Sequence, residues 1–246
     1  MRRIVLKISG EALGFPDSKG IDHHKINQIS EEIKDLYDLG NIELCIVVGA
    51  GNIWRGRDAI DSGMDRSSAD YMGMLATILN ALALQNSLEN LGLDTRAMTS
   101  LSIPSVAEPY IRRKALSHLQ KGRVVIFGGG NGIPFFSTDS TAALRSAELG
   151  SKLILMAKNG VDGVYDSDPR INKNAKKYSR LTFRDLIDKQ LNVMDLTAAT
   201  LCRENNIDII VFDMNKKGNI KRAVDDFSIG TLISNKKEWF YAEINN

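Results

Sequence analysis

Cysteine is nearly missing from this chain: Cys45 sits in an apolar strand-like run, Cys202 in a helix-like one, and there are no others among 246 residues. Two small buried thiols build no disulfide framework, which predicts a reducing compartment, the cytoplasm. Histidine is scarce as well. His23, His24 and His118 stand apart from any Cys, Asp or Glu at ligand spacing, so no zinc site is expected. No apolar run approaches the roughly 18 residues of a membrane span, and the start, MRRIVLKISG, is too polar for a signal peptide. A charge excess is also lacking. The formal net charge is +2, and basic residues fall in doublets such as Lys176-Lys177, Lys216-Lys217 and Lys236-Lys237. Neither nucleic acid nor a membrane is therefore an expected partner. The chain contains no G-x-x-x-x-G-K-[ST] and no G-x-G-x-x-G, which removes the P-loop and Rossmann cradles.

What is present is enough apolar material for a core: 43% of residues are apolar and 25% charged. With no linker, repeat or low-complexity tract, one domain over residues 1–246 is expected, softly divided near residue 145, with 235–246 as an extra tail. Five short runs, RIVLKIS, IELCIVVG, RVVIFGG, KLILMA and IDIIVFDM, are rich in Val, Ile and Leu. The four internal runs are nearly continuous rather than alternating, as in strands covered on both faces. The expected fold is α/β, a three-layer αβα sandwich around a mainly parallel central sheet. Helices are predicted over 22–39, 66–91, 139–149 and 194–206. The longest carries Met72, Leu75, Ile78, Leu79, Leu82 and Leu91 on related faces, and its methionine-rich piece reads as core packing.

Three strands end in glycine-bearing turns: LKISGEALG, VVGAGNIWRG and FGGGNGIPFFSTD. Glycine lets backbone N–H groups approach an anion closely, and in an open parallel sheet ligands bind outside the carboxyl ends of the strands. Lys7 alternates onto the face of Val5 and Ser9, where burying it is costly unless it meets an anion. Arg55 is placed either to fork onto a phosphate or to form a surface ion pair. Asp139 stands where the helix over 139–149 begins, which predicts an N-cap, or a carboxylate that orients lysines or holds a metal.

The stretches VLKISGEAL, GNIWRG, DYMGMLATILNALAL, PFFSTDSTAALRSAE and LMAKNGVDGVYDSDPR resemble the successive motifs of the bacterial UMP kinases (uridylate kinases) of the amino acid kinase family, over residues 2–234. That resemblance implies transfer of the γ-phosphate of ATP to UMP in pyrimidine nucleotide biosynthesis, with Mg2+ carried on the ATP phosphates and no protein metal site. It further implies a homohexamer, with UTP and GTP as effectors. By the same likeness Lys7, Ser9, Gly10, Gly51 and Arg55 contact the ATP phosphates. Asn159, Tyr165 and Asp168 hold adenosine. Asp70 accepts the ribose hydroxyls of UMP, and Ala50 offers its N–H. Gly130, Asn131, Gly132, Ile133, Pro134, Phe135, Phe136, Ser137 and Thr138 form the UMP loop. Lys7, Asp139, Arg55 and Lys158 are the implied catalytic set. This chain departs from the family in reading GAGN for Gly-Gly-Gly-Asn and GGNGIP where a threonine is usual. The alternatives are a kinase of the same fold acting on a carboxylate or carbamate, and a nucleotide-sensing binding protein without turnover.

Overall fold

The computed structural model describes residues 1–16, 18–169, 171–191 and 193–235. Trp239, Phe240 and Tyr241 of the tail, with the Lys236-Lys237 doublet, lie outside the described residues.

The chain opens with β1 (Arg2–Ile8), α1 (His23–Tyr37), β2 (Ile42–Val48), α2 (Gly56–Asp61) and α3 (Arg66–Asn90). It continues through β3 (Thr95–Thr99), β4 (Glu108–Pro109), α4 (Arg112–Gln120), β5 (Val124–Gly128), α5 (Thr138–Leu149) and β6 (Leu153–Lys158). A short hairpin of β7 (Val164–Tyr165) and β8 (Lys177–Tyr178) precedes β9 (Arg180–Leu181), α6 (Phe183–Asp188) and α7 (Leu196–Glu204). Last come β10 (Asp208–Asp213), α8 (Asn219–Arg222) and β11 (Thr231–Ile233).

The five apolar runs are β1, β2, β5, β6 and β10, and they occupy the middle of one sheet in the order β4-β3-β5-β2-β1-β6-β10-β11-β9. All its pairings are parallel except β10 with β11. Side chains alternate across it. Ile4, Leu6, Ile8, Leu44, Ile46 and Val48 pack with Ile26, Ile33 and Leu36 of α1 and with Leu84 and Leu88 of α3. Val5, Cys45 and Val47 face the other way, against Ala115 of α4, Ala142 and Ala143 of α5, and Ala198 and Cys202 of α7. The result is the expected three-layer sandwich. Both thiols are buried and free, and burial pushes each up to about 12, so they act as small hydrophobes.

Helix α1 begins where Asp22 accepts from the backbone N–H groups of His24 and Lys25, and the chain leaves it at Gly40, whose φ is +78°. Ile33 and Leu36 are fully buried on its inner face, each contributing about 1.5–3 kcal/mol by removal from water.

Two expectations need correction. The stripe of Met72, Leu75 and Leu79 on α3 is not core: these residues are 41%, 47% and 52% exposed, because α3 turns Ala76, Ala81, Leu84 and Leu88 to the sheet instead. Asp139 is not the N-cap of α5. Ser137, two residues earlier, accepts from the N–H groups of Asp139 and Ser140 at 3.0 and 3.2 Å and releases the Asp139 carboxylate for another task. The β3 strand, TRAMT, escaped prediction because two threonines and an arginine in five residues hide it.

Candidate active site

The carboxyl ends of β1, β2, β5 and β6 lie side by side, so the glycine turns after them form one edge of the molecule. The first two turns meet backbone to backbone. A Cβ on Gly10 would stand 2.5 Å from Ala50 N, so only glycine fits there. Ala50 itself is absent from the residues with positive φ, so its methyl group costs the turn nothing. The second turn is fixed from below by two buried amides: Asn80 of α3 donates to Gly49 O at 2.7 Å and exchanges hydrogen bonds with Asn52 at 2.8 and 3.0 Å.

Against these turns lies a cavity of about 340 Å³ lined by Lys7, Ser9, Gly10, Glu11, Gly49, Ala50, Gly51, Thr138, Lys158, Asn159 and Val161. A second cavity, about 520 Å³, is lined by Gly56, Ile60, Asp61, Arg66, Asp70, Phe135, Phe136, Ser137, Ser140, Asp195 and Thr197. Ser137 borders the second and Thr138 the first, so the two cavities adjoin at the start of α5.

Asp139 sits at this junction between two lysines. Lys7 Nζ lies 2.8 Å from its Oδ1 and Lys158 Nζ 4.0 Å from its Oδ2. Burial alone would raise the Asp139 carboxyl, but Lys7 and then Lys158 outweigh it and hold the group below the usual carboxylate range. Burial pushes Lys158 below the usual lysine range, with Asp139 opposing and Lys7 adding to the shift. Lys158 also donates to Val193 O at 2.8 Å. With Glu11 neutralised by Arg55, the two lysines and Asp139 leave one excess positive charge beside the first cavity, which favours binding of phosphate.

Other expected residues stand in different surroundings. Arg55 lines neither cavity; it is half-exposed and pairs with Glu11 at 2.8 Å, across the mouth of the first glycine turns. Asp70 accepts from Phe135 N at 2.8 Å and from Arg66 Nε at 2.9 Å. Of the loop from Gly130 to Thr138, Phe135, Phe136 and Ser137 border the second cavity and Thr138 the first; Gly130, Asn131, Gly132, Ile133 and Pro134 border neither. Gly130 O accepts from Ser100, whose oxygen accepts in turn from the buried Arg145. Asn159 accepts from Asn215 at 2.9 Å, while Tyr165 donates to Asp162 at 2.6 Å, a bond that pushes the phenol up to about 12. Tyr165 and Asp168 border neither cavity.

Sequence reasoning missed Asp195. Its carboxylate accepts from the hydroxyls of Ser137 and Ser140 and caps α7 through Ala198 N, joining two helix starts beside the second cavity. An aspartate directly before the helical run that begins at Leu196 carried the signal. Glu11 and Arg66 were also missed. Among the described residues there is no cluster of three or more His, Cys, Asp or Glu able to hold a metal ion, and none of the helices is long and apolar enough to cross a membrane.

The model of the amino acid kinase family matches residues 2–213. A uridylate kinase of Pediococcus pentosaceus is 53% identical over 232 residues, 94% of this chain and 96% of that one. The crystal structure of a UMP kinase from Bacillus anthracis superposes with a TM-score of 0.92 at 42% identity, covering 96% of each chain. That of a UMP kinase from Ureaplasma parvum gives 0.90 at 44% identity, covering 95% of this chain and 98% of the other. The chain belongs to the amino acid kinase family.

Proposed function

We propose that this protein is a UMP kinase, transferring the γ-phosphate of ATP to UMP to give UDP and ADP. The observation that carries the reading is the Lys7–Asp139–Lys158 cluster at the junction of two adjoining cavities. The likeness to uridylate kinase over 94% of the chain supports the choice of substrate.

The chemistry asks little covalent work of the protein. The phosphate of UMP is the nucleophile and is already ionised at neutral pH, so no general base is required. Two phosphate groups must instead be brought together against their mutual repulsion. In this account ATP lays its phosphates on Ser9, Gly10 and Gly51 beside Lys7, with its adenosine toward Asn159, Tyr165 and Asp168. UMP fills the second cavity, its ribose at Asp70 and its phosphate toward Thr138. Lys7 and Lys158 stabilise the charge on the transferring group, and Asp139 holds both ammonium groups in place. Arg55 leaves Glu11 for the phosphates when ATP binds.

A magnesium ion fits this cradle only as a passenger. The carboxylates beside it, Asp139 and Glu11, are already paired with Lys7 and Arg55, so the ion's ligands would be phosphate oxygens and water. When bound, it neutralises phosphate charge. We also read the chain as one domain, since β1 pairs with β2 on one side and β6 on the other, across the division near residue 145. The exposed stripe on α3 supports self-association, with a hexamer as the family's usual assembly.

The test is ADP release with magnesium and ATP against UMP, CMP, carbamate and acetylglutamate. Turnover on UMP is expected. Silence on both nucleotides with turnover on a carboxylate or carbamate would replace this reading with the other branch of the fold.

A further inference from the structure

We propose that Arg66 is a positioning residue for the acceptor nucleotide, acting through Asp70; the proposal rests on the reading of the second cavity as the UMP site. Arg66 is the first residue of α3 and Asp70 lies one turn on, so the two side chains share a helix face. Arg66 Nε donates to Asp70 Oδ2 at 2.9 Å. The same oxygen accepts from Phe135 N at 2.8 Å, and the Arg66 guanidinium stands 5.5 Å from the centre of the Phe135 ring. One carboxylate oxygen thus ties α3 to the acceptor loop, with Arg66 closing the triangle. Both bonds fall on Oδ2, so Oδ1 is the atom left to meet a ribose hydroxyl.

The loop needs this clasp. Phe135 has φ +72°, in the left-handed region that a bulky residue avoids, and the residue is 65% exposed, so packing does not hold it. What holds it is the charge-assisted bond to Asp70 and the cation over its ring. A carboxylate fixed at one oxygen presents the other at a set place, and the acceptor does not spend binding energy ordering it. An isolated surface pair at i, i+4 contributes almost nothing to stability and would have no bearing on substrate affinity, so the two roles separate cleanly.

The experiment compares full-length wild type, Arg66→Met, Arg66→Lys, Asp70→Ala and the double variant Asp70→Ala/Arg66→Met, with UMP and magnesium-ATP varied in turn. Arg66→Met is expected to raise the KM for UMP about tenfold and to leave the KM for ATP in place, with Arg66→Lys recovering part of the loss. The double variant should match Asp70→Ala alone, since Arg66 has nothing left to position. An unchanged KM for UMP, equal rises for both nucleotides, or additive losses in the double variant would overturn the proposal. A wild-type chain that does not phosphorylate UMP would fail the functional reading itself, and that failure shows before any variant is made.

Discussion

Lys7 Nζ stands 2.8 Å from Asp139 Oδ1, joining the end of the central strand to the second residue of α5. Lys7 is 8% exposed, so this is a buried ion pair at the edge of a cavity rather than a surface contact. Such a pair is a poor investment for stability but a good one for holding an ammonium group in a fixed position.

Removing one member should therefore expose the cost of the other. Lys7→Met leaves the Asp139 carboxylate only the more distant Lys158, at 4.0 Å, and is expected to lower the unfolding free energy by about 3 kcal/mol, whereas Lys7→Met/Asp139→Leu should recover part of it, Lys158 then being the charge without a partner. Urea denaturation of the two variants checks this. Equal stability of the single and double variants would mean that Asp139 is solvated well enough to stand alone.

The pH dependence of stability follows from the same pair. The folded-state Asp139 carboxyl lies below its unfolded value of 3.8, so its contribution is present above that value and is lost as pH falls through the folded one. Asp139→Asn should flatten the loss of stability below about pH 4 measured by denaturation. An acid limb unchanged in Asp139→Asn would place the responsible carboxylate elsewhere.

Lys158 should show a trade between stability and activity. Burial holds its pKa below 10.5, so between the folded and unfolded values the unfolded chain binds more protons and stability rises with pH. Carrying the charge at neutral pH costs the fold something. Lys158→Met is expected to melt at a higher temperature than wild type while its kcat falls by about 100-fold. A variant that is both less stable and fully active would reverse the assignment.

The fold was legible where burial dictates sequence. Strands covered on both faces must be apolar throughout, so β1, β2, β5, β6 and β10 stood out, and α1 announced itself by Ile26, Ile29, Ile33 and Leu36. Edge strands of two residues, such as β4 and β9, carry no period to read. The site divides in the same way. Lys7 was visible because a lysine in an apolar strand is anomalous, and Asp139 because it opens a helix beside glycines. Arg66 and Glu11 were not, since each is an ordinary charged residue until the fold gives it a neighbour, and Asp195 showed only as a helix cap. The α3 stripe misled for a related reason: Leu75 and Leu79 have helical spacing, but spacing does not say which face meets the sheet.

That stripe makes its own prediction. Under the self-association proposed above, Leu75→Glu with Leu79→Glu should shift the protein to a smaller species in light scattering at unchanged helicity, because the stripe is the exposed apolar face available for that contact. An assembly of unchanged mass would place the contact on another face.

The central claim is that phosphate passes from ATP to UMP across the Lys7–Asp139–Lys158 cluster. The most direct test is to quantify UDP by anion-exchange chromatography after mixing magnesium-ATP and UMP with wild type and with Lys7→Met at equal folded concentrations. Wild type is expected to form UDP steadily, and the variant at a rate lower by about 100- to 1,000-fold, as follows from loss of a cation aimed at the transferring group. No UDP from wild type, or equal rates from the two proteins, would contradict it.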